Sequence, residues 1–182
     1  MNEFFTLICL RHGQTLYNVD GLLAGQVLSF DISLTKKGIR EIRDAAYFLQ
    51  GRKIDKFYSS DLERCVQSSN IIEWITGKEY KLTELLREIN VGAAEGKSIA
   101  GLDGLQILEK YGEMFVEDVP AIIARAQEFI TMLRSENLRD GDVVLVVTSG
   151  GFLNGLKTLL GDGELDTEET PNGGLLEWTL KI

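Results

Sequence analysis

A short apolar run that stops abruptly at a polar, glycine-containing turn is the feature that most constrains the fold of this chain. Residues 7–10, Leu-Ile-Cys-Leu, are typical of a fully buried strand. The run ends at Arg11-His12-Gly13, where glycine permits a sharp turn and leaves room for a ligand. A second run, 143–147, is more strongly β-branched and passes directly into Thr148-Ser149-Gly150-Gly151. Both patterns predict central strands with polar groups at their ends.

Hydrophobic spacing predicts further helices and strands around these two. In chain order they are a helix over 39–49 capped by Thr35, a strand over 56–59, a helix that Ser60 or Asp61 caps and Gly77 ends, a less regular strand over 79–86, a short helix over 105–111, a long helix from Pro120, a helix over 152–160 and an edge strand over 175–180. Strands that alternate with helices indicate βαβ units. The predicted fold class is therefore α/β, a three-layer α/β/α sandwich with a mostly parallel central sheet, in one domain over residues 1–182.

Composition excludes several classes of partner. The 182 residues carry a formal charge of −9, which argues against nucleic acid or an anionic membrane as a partner. No apolar run approaches the roughly 18 residues that a membrane span needs. The two cysteines, Cys9 and Cys65, fit neither a metal-binding spacing nor a disulfide framework. These features predict a cytoplasmic protein, and they carry no indication of its oligomeric state.

His12 is the only histidine in the chain. A lone histidine is more often a packing residue than a catalyst, but His12 directly follows a predicted buried strand. The carboxyl ends of such strands are where open α/β sheets bind ligands. Arg11 beside it favours a neutral imidazole and supplies a forked donor that suits phosphate oxygens. A neutral imidazole among anion-binding donors suits nucleophilic attack on phosphorus.

Other strand ends supply the remaining groups that phosphoryl transfer requires. Arg64 follows the second predicted strand, Glu88 the third, and Ser149-Gly150 the central one. Positive donors around the phosphoryl oxygens, a nucleophile in line with the leaving group and a proton donor beyond it are the parts of such a site. Each residue also has a simpler interpretation: Arg64 could pair with neighbouring carboxylates, and Glu88 could be a solvated loop charge.

Four motifs in this order resemble those of the histidine phosphatase superfamily, which includes the phosphoglycerate mutases and many small phosphatases. The first is Arg11-His12-Gly13-Gln14-Thr15-x-x-Asn18, and the second is Asp31-x-x-Leu34-Thr35-x-x-Gly38, with Ser33 where proline is usual. The third is Ser59-Ser60-Asp61-Leu62-x-Arg64. The fourth is Leu86-Arg87-Glu88-x-x-x-Gly92-x-x-Glu95-Gly96.

The resemblance implies a phosphoglycerate mutase-like fold and a role for each matching residue. His12 would be transiently phosphorylated, and Glu88 would act as general acid and base. Phosphate would be bound by Arg11, Asn18, Arg64 and Gly150. Neither a metal nor an organic cofactor is implied, because two arginines can neutralise the phosphoryl charge. The implied partner is a small phosphorylated substrate or inorganic phosphate.

Ser149 departs from the family pattern. Val146-Val147-Thr148-Ser149-Gly150-Gly151 resembles a family segment in which the second catalytic histidine stands at position 149. Serine donates one hydrogen bond but carries no positive charge. Either natural divergence or deliberate replacement would produce this serine. The sequence therefore favours a phosphomonoester hydrolase whose activity Ser149 reduces. One alternative is a non-catalytic family member that binds a phosphorylated ligand. The other is a mutase-type phosphotransferase, which is less favoured because the family's mutases usually carry a longer insertion where this chain has only residues 92–120.

Overall fold

The computed structural model describes residues 3–26, 32–161 and 168–182. Its centre is a five-stranded sheet of β1 (Phe4–Arg11), β2 (Lys56–Ser59), β3 (Lys81–Leu82), β4 (Asp142–Thr148) and β5 (Leu175–Lys181). The strand order is β3-β2-β4-β1-β5, and only β5 runs antiparallel to its neighbour. The two runs that end in polar turns, β1 and β4, lie side by side, and β4 is the middle strand, which confirms its predicted central position.

Alternation along the central strands sends side chains to two separate hydrophobic clusters. In β1, Leu7 and Cys9 enter one cluster, whereas Ile8 and Leu10 enter the other. The six helices of the described residues are α1 (Leu16–Val19), α2 (Lys36–Leu49), α3 (Glu63–Thr76), α4 (Gly104–Tyr111), α5 (Val119–Ser135) and α6 (Gly150–Leu160). Helices α5 and α6 cover the first cluster, and α2 and α3 cover the second. The predicted three-layer α/β/α architecture is confirmed.

Most predicted helices form at their expected places. The Thr35 hydroxyl accepts from the Gly38 amide and caps α2, while Gly77 ends α3 in the left-handed conformation. Asp118 caps α5, whose second residue is Pro120. None of the described helices is both long enough and apolar enough to cross a membrane.

Two local predictions are wrong. The strand predicted over 79–86 is limited to the two residues of β3, and Glu84–Leu86 forms a 3₁₀ turn that Thr83 caps. Charged residues interrupt the apolar pattern there, so that segment leaves the sheet early. The N-cap of α3 is Leu62 rather than Ser60 or Asp61, because the Ser60 hydroxyl accepts from the Leu62 amide one step before the helix begins.

A close backbone crossing ties the turn after β1 to the first turn of α2. A Cβ atom built on Gly38 would lie 2.2 Å from the carbonyl oxygen of Gln14, and one built on Gly13 would lie 2.4 Å from the carbonyl oxygen of Gly38. The Thr35 amide also donates to the Gln14 carbonyl, at 2.8 Å. Only glycine fits at both positions, so α2 holds the backbone that follows His12 in one place.

We predict that Gly38→Ala lowers the free energy of unfolding by about 1–3 kcal/mol, the usual cost of overpacking. The new methyl group would meet backbone atoms of Gln14, which cannot rotate aside. Gly112→Ala is the matched control, because a Cβ there meets nothing within 4 Å. Chemical denaturation of both variants checks this; equal stability of the two would contradict the crossing.

Candidate active site

His12 leaves the end of β1 with its imidazole orientation fixed. Its amide donates to the carbonyl oxygen of Thr148 at the end of β4, at 2.9 Å. The ring is buried, and Nδ1 lies 2.8 Å from the carbonyl oxygen of Gly13. A carbonyl oxygen only accepts hydrogen bonds, so Nδ1 carries the proton. The lone pair of the neutral ring is therefore on Nε2.

Two neighbouring arginines favour that neutral form. Arg64 Nε donates to His12 Nε2 at 3.1 Å, and Arg11 precedes the ring in the chain. Burial, followed by the positive charges of Arg64 and Arg11, holds the pKa of His12 well below its ordinary value of 6.5, although the hydrogen bond to Gly13 opposes this shift. At neutral pH the imidazole is thus uncharged, and its Nε2 lone pair accepts a hydrogen bond from Arg64.

Arg64 is the largest side chain that the fold buries almost completely, with 1% of the residue exposed. It occupies the first turn of α3, directly after the turn that follows β2. Its Nη2 donates to the carbonyl oxygen of Gly25 at 2.9 Å, whereas buried Nη1 has no hydrogen-bond partner in the described part of the chain. The simpler interpretation, a pair with a neighbouring carboxylate, is not what the structure has: no ion pair involves Arg64 among the described residues.

Arg11, which directly precedes His12 in the chain, also keeps a buried donor that has no partner among the described residues. Its Nη1 donates to the Glu169 carboxylate and to the carbonyl oxygen of Thr170, both at 2.5 Å. Its Nε is buried and has no hydrogen-bond partner within residues 3–26, 32–161 and 168–182. A Cβ built on Gly150 would lie 3.4 to 3.7 Å from the Cζ, Nε and Nη2 atoms of Arg11, so the start of α6 packs against this edge of the guanidinium.

Unpartnered buried donors are costly, at about 1–3 kcal/mol each, and more for charged groups. Arg11 Nε and Arg64 Nη1 are two such donors among the described residues. Arg64 donates to the His12 ring through Nε, and Arg11 precedes His12 in the chain. An oxyanion with several acceptor oxygens would satisfy both of them, and guanidinium geometry suits phosphate oxygens in particular. The arrangement has the chemistry of an oxyanion site built around a nucleophilic nitrogen.

Glu88 reaches the same edge of the sheet from the turn after β3. Its Oε1 accepts from the amide of Ile89 at 2.8 Å. A Cβ built on Gly151 would lie 2.2 Å from that oxygen, so glycine in the first turn of α6 provides the space for the Glu88 carboxylate.

Ser149 is completely buried and is the N-cap residue of α6. The helix begins at Gly150, two residues earlier than the sequence predicts, so both glycines lie in its first turn. The hydroxyl makes no capping bond and lies 3.7 Å from Cys65 Sγ. Burial raises the pKa of the Cys65 thiol to about 11, so this neighbouring thiol is protonated at neutral pH and is a poor nucleophile.

Asn18 serves the local fold in this structure. Its Oδ1 accepts from both the amide and the hydroxyl of Thr15, each at 3.0 Å, which completes a capping box on α1. The same oxygen accepts from Asn172 Nδ2 at 3.3 Å. Asp31, from the second motif, lies outside the described residues.

The segment before β5 supplies site residues that sequence reasoning missed. Glu169 and Thr170 hold Arg11, while Asn172 donates to the carbonyl oxygen of His12 at 3.1 Å. Because β5 is antiparallel, its amino end reaches the edge where the parallel strands have their carboxyl ends. Glu169 and Asn172 also line a cavity of about 320 Å³ beside Arg11, whose other walls are Lys37, Glu41 and Pro171. The available signal was Asn172 itself, a polar residue between proline and glycine directly before a strand.

The lone histidine makes its protonation directly observable. In phosphate-free buffer, we predict that ¹⁵N NMR of the histidine-labelled protein still shows the neutral, Nδ1-protonated form at pH 6.5, where a free histidine is half protonated. An unfolded histidine protonates below about 6.5. The unfolded chain therefore binds more protons there, and His12 makes the free energy of unfolding fall as the pH drops below that value. A titration midpoint near 6.5 in the folded protein would contradict the buried, arginine-flanked geometry.

Curated relatives with measurable sequence similarity are phosphatases and mutases. A putative phosphoserine phosphatase of Hydrogenobacter thermophilus is 26% identical over 168 residues, covering 85% of this chain and 77% of the relative. A broad-specificity phosphatase of Saccharomyces cerevisiae is 32% identical over 163 residues, covering 84% and 68%. A 2,3-bisphosphoglycerate-dependent phosphoglycerate mutase of Thermoplasma acidophilum is 36% identical over 90 residues, so the match spans 50% of this chain and 44% of that mutase.

Solved structures share the fold along nearly the whole chain. A phosphoglycerate mutase from Bacillus anthracis superposes with a TM-score of 0.81 at 22% identity, covering 98% of this chain and 89% of the other. The family model of the histidine phosphatase superfamily (branch 1) matches residues 7–178. That match begins within β1, includes every strand end at the site and ends within β5. The chain belongs to the histidine phosphatase superfamily, branch 1.

Proposed function

We propose that this protein is a phosphomonoester hydrolase that works through a phosphohistidine intermediate on His12. The observation that carries the proposal is a neutral imidazole, protonated on Nδ1, next to two buried arginines, Arg11 and Arg64. Each of these arginines has one guanidinium nitrogen without a partner among the described residues. A substrate phosphate would accept from Arg11 Nε and Arg64 Nη1. It would also compete with His12 Nε2 for the Arg64 Nε donor and so release the lone pair for attack.

The reaction has two displacements at phosphorus. In the first, His12 Nε2 forms a bond to phosphorus while the ester P–O bond breaks, and Glu88 donates a proton to the leaving oxygen. In the second, Glu88 takes a proton from water, the resulting hydroxide attacks phosphorus, and the P–N bond breaks to release inorganic phosphate. Each step leaves the imidazole and the carboxyl group in the state that the next step requires.

The start of α6 would add to oxyanion binding. The first amides of a helix lack intrahelical acceptors and favour anions. Gly150 packs against Arg11, and its amide is one of those groups. Ser149 contributes a hydroxyl without positive charge, so the two arginines supply the cationic charge that the described residues place beside His12. We therefore propose a site that needs no metal or organic cofactor.

The substrate class follows from the site and from the relatives. Phosphomonoesters offer the tetrahedral oxyanion that the unpartnered donors fit. The two relatives named above as matched over most of their own length are named as phosphatases, whereas the mutase is matched over less than half of its length. We infer hydrolysis of a small phosphorylated substrate rather than phosphoryl transfer between sugar-acid positions, in the cytoplasmic setting that the sequence predicts.

Ser149 also favours a second candidate, a non-catalytic member that binds a phosphorylated ligand. The loss of one preorganised donor typically costs about 10²–10³ in rate, which could leave only binding. The surrounding geometry argues for catalysis, because Gly151 still provides the space that Glu88 occupies and His12 keeps its reactive tautomer.

We predict that Ser149→His raises the turnover of phosphomonoesters by about 10²–10³, the usual value of one such donor. The gain should appear in kcat, because an added positive charge matters most during phosphoryl transfer. Ser135→His, which places a histidine on the exposed end of α5, is the matched control and should leave the rate unchanged. His12→Asn should abolish turnover in every background.

A different result would support the non-catalytic candidate. If Ser149→His binds phosphate and retains its unfolding temperature but shows no gain on any phosphomonoester, the chain is a binding protein. Turnover that survives His12→Asn would remove the proposed nucleophile.

A further inference from the structure

The backbone around Glu88 is held by side chains instead of by a sheet. The segment leaves the sheet at β3, so its carbonyl groups have no strand partner. Three of these carbonyl oxygens accept hydrogen bonds from Arg125, a residue of α5. Arg125 Nη1 donates to the carbonyl oxygens of Leu85 and Arg87, at 2.9 and 2.6 Å, and Nη2 donates to that of Glu88, at 3.2 Å. The remaining one, Leu86, accepts from the Thr148 hydroxyl at 2.7 Å. Gln26 Nε2 also donates to the Glu88 carbonyl oxygen, at 2.8 Å. Three side chains thus hold four consecutive carbonyl groups, and Arg125 binds three of the four.

Glu117 fixes the arginine that does this. Arg125 Nε donates to Glu117 Oε1 and Arg125 Nη2 donates to Glu117 Oε2, both at 2.7 Å. Both side chains are largely buried, with 16% and 14% exposed. Glu117 Oε2 also accepts from the amide of Asn90, at 3.0 Å, so the pair holds the backbone on both sides of Glu88.

The same arginine connects this segment to α6. Its guanidinium carbon lies 5.5 Å from the ring centroid of Phe152, in the first turn of that helix. One residue earlier, Gly151 provides the space for the Glu88 carboxylate. Arg125 therefore sets the distance between the Glu88 backbone and the helix start that carries Ser149 and Gly150.

We propose that Arg125, oriented by Glu117, is a positioning residue that sets the place of the Glu88 carboxylate relative to the leaving group. This rests on the proposed function, in which Glu88 protonates that group. Arg125 makes no contact with His12, Arg11 or Arg64 among the described residues, so its effect on catalysis passes through Glu88.

Lysine cannot replace this arginine. The guanidinium presents five N–H donors in a rigid plane, and here it serves three carbonyl groups and both oxygens of one carboxylate. A lysine ammonium has three donors on one nitrogen at the end of a flexible chain. Arg125→Lys therefore keeps the charge and the ion pair with Glu117 but releases part of the backbone.

The test compares two substrates in the full-length protein. An alkyl phosphate needs protonation of its leaving oxygen, whereas an aryl phosphate, with a weakly basic leaving group, needs little. We expect Arg125→Lys to lower kcat for the alkyl phosphate by about 10²-fold, the cost of a misplacement of roughly 1 Å, and to affect the aryl phosphate far less. Glu117→Gln should show the same pattern. Arg134→Lys is the control, since exposed Arg134 lies on the same helix and donates to the carbonyl oxygen of Lys181.

A double variant separates positioning from a general loss of structure. If Arg125 acts through Glu88, adding Arg125→Lys to Glu88→Gln should cost nothing further, because coupled residues are not additive. If Arg125 had only a structural role, Arg125→Lys would lower kcat equally for both substrates. Its effect would also add in full to that of Glu88→Gln. Either of those two results would overturn the proposal.

A measurement independent of turnover keeps this proposal separate from the proposed function. The Ile89 amide donates to the Glu88 carboxylate, so its hydrogen exchange reports the position of that group. We expect faster exchange of Ile89 in Arg125→Lys and unchanged exchange in Arg134→Lys. If the wild-type protein were inactive, the proposed function would be wrong, but hydrogen exchange at Ile89 would still test whether Arg125 positions the Glu88 carboxylate. Unchanged exchange at Ile89 in Arg125→Lys would defeat the positioning role alone.

Discussion

The hydrogen bond from His12 Nδ1 to the carbonyl oxygen of Gly13 is the interaction on which the site depends. It selects the tautomer and leaves the lone pair on Nε2, beside Arg64. The bond requires the Gly13 carbonyl to stay in place, and the backbone crossing with Gly38 ensures this because neither residue has room for a Cβ atom. A packing constraint between a loop and a helix therefore determines the chemistry of a single side chain.

Positive charge is concentrated at this site, although the protein as a whole is acidic. The chain carries a formal charge of −9, yet Arg11 and Arg64 are both buried beside the imidazole. Their positive charges and the burial of the ring favour neutral His12, and their unpartnered nitrogens favour an anion. Glu169 partly offsets the charge of Arg11 from the exposed rim, with 75% of its side chain exposed. Because Ser149 carries no charge, the two arginines carry the electrostatic part of the proposed reaction.

The parts of the site that follow parallel strands could be predicted from the sequence, and the others could not. His12, Arg64 and Ser149 each follow a run whose pattern indicates a buried strand, so their meeting at one edge follows from the topology. Glu169 and Asn172 were missed because the orientation of β5 cannot be inferred from its own residues. Arg125 was missed for another reason: it binds backbone carbonyl groups of a segment predicted to be a strand, and a sequence pattern does not show which carbonyls lack partners.

The most direct test of the account is the chemical identity of a trapped phosphoenzyme. The protein is mixed with a ³²P-labelled phosphomonoester, quenched within milliseconds and digested, with His12→Asn as the control. The account predicts one base-stable, acid-labile phosphoryl group on His12, attached at Nε2, because Nδ1 is protonated and donates a hydrogen bond to the carbonyl oxygen of Gly13. Label at Nδ1, or acid-stable label on a serine such as Ser149, would contradict it.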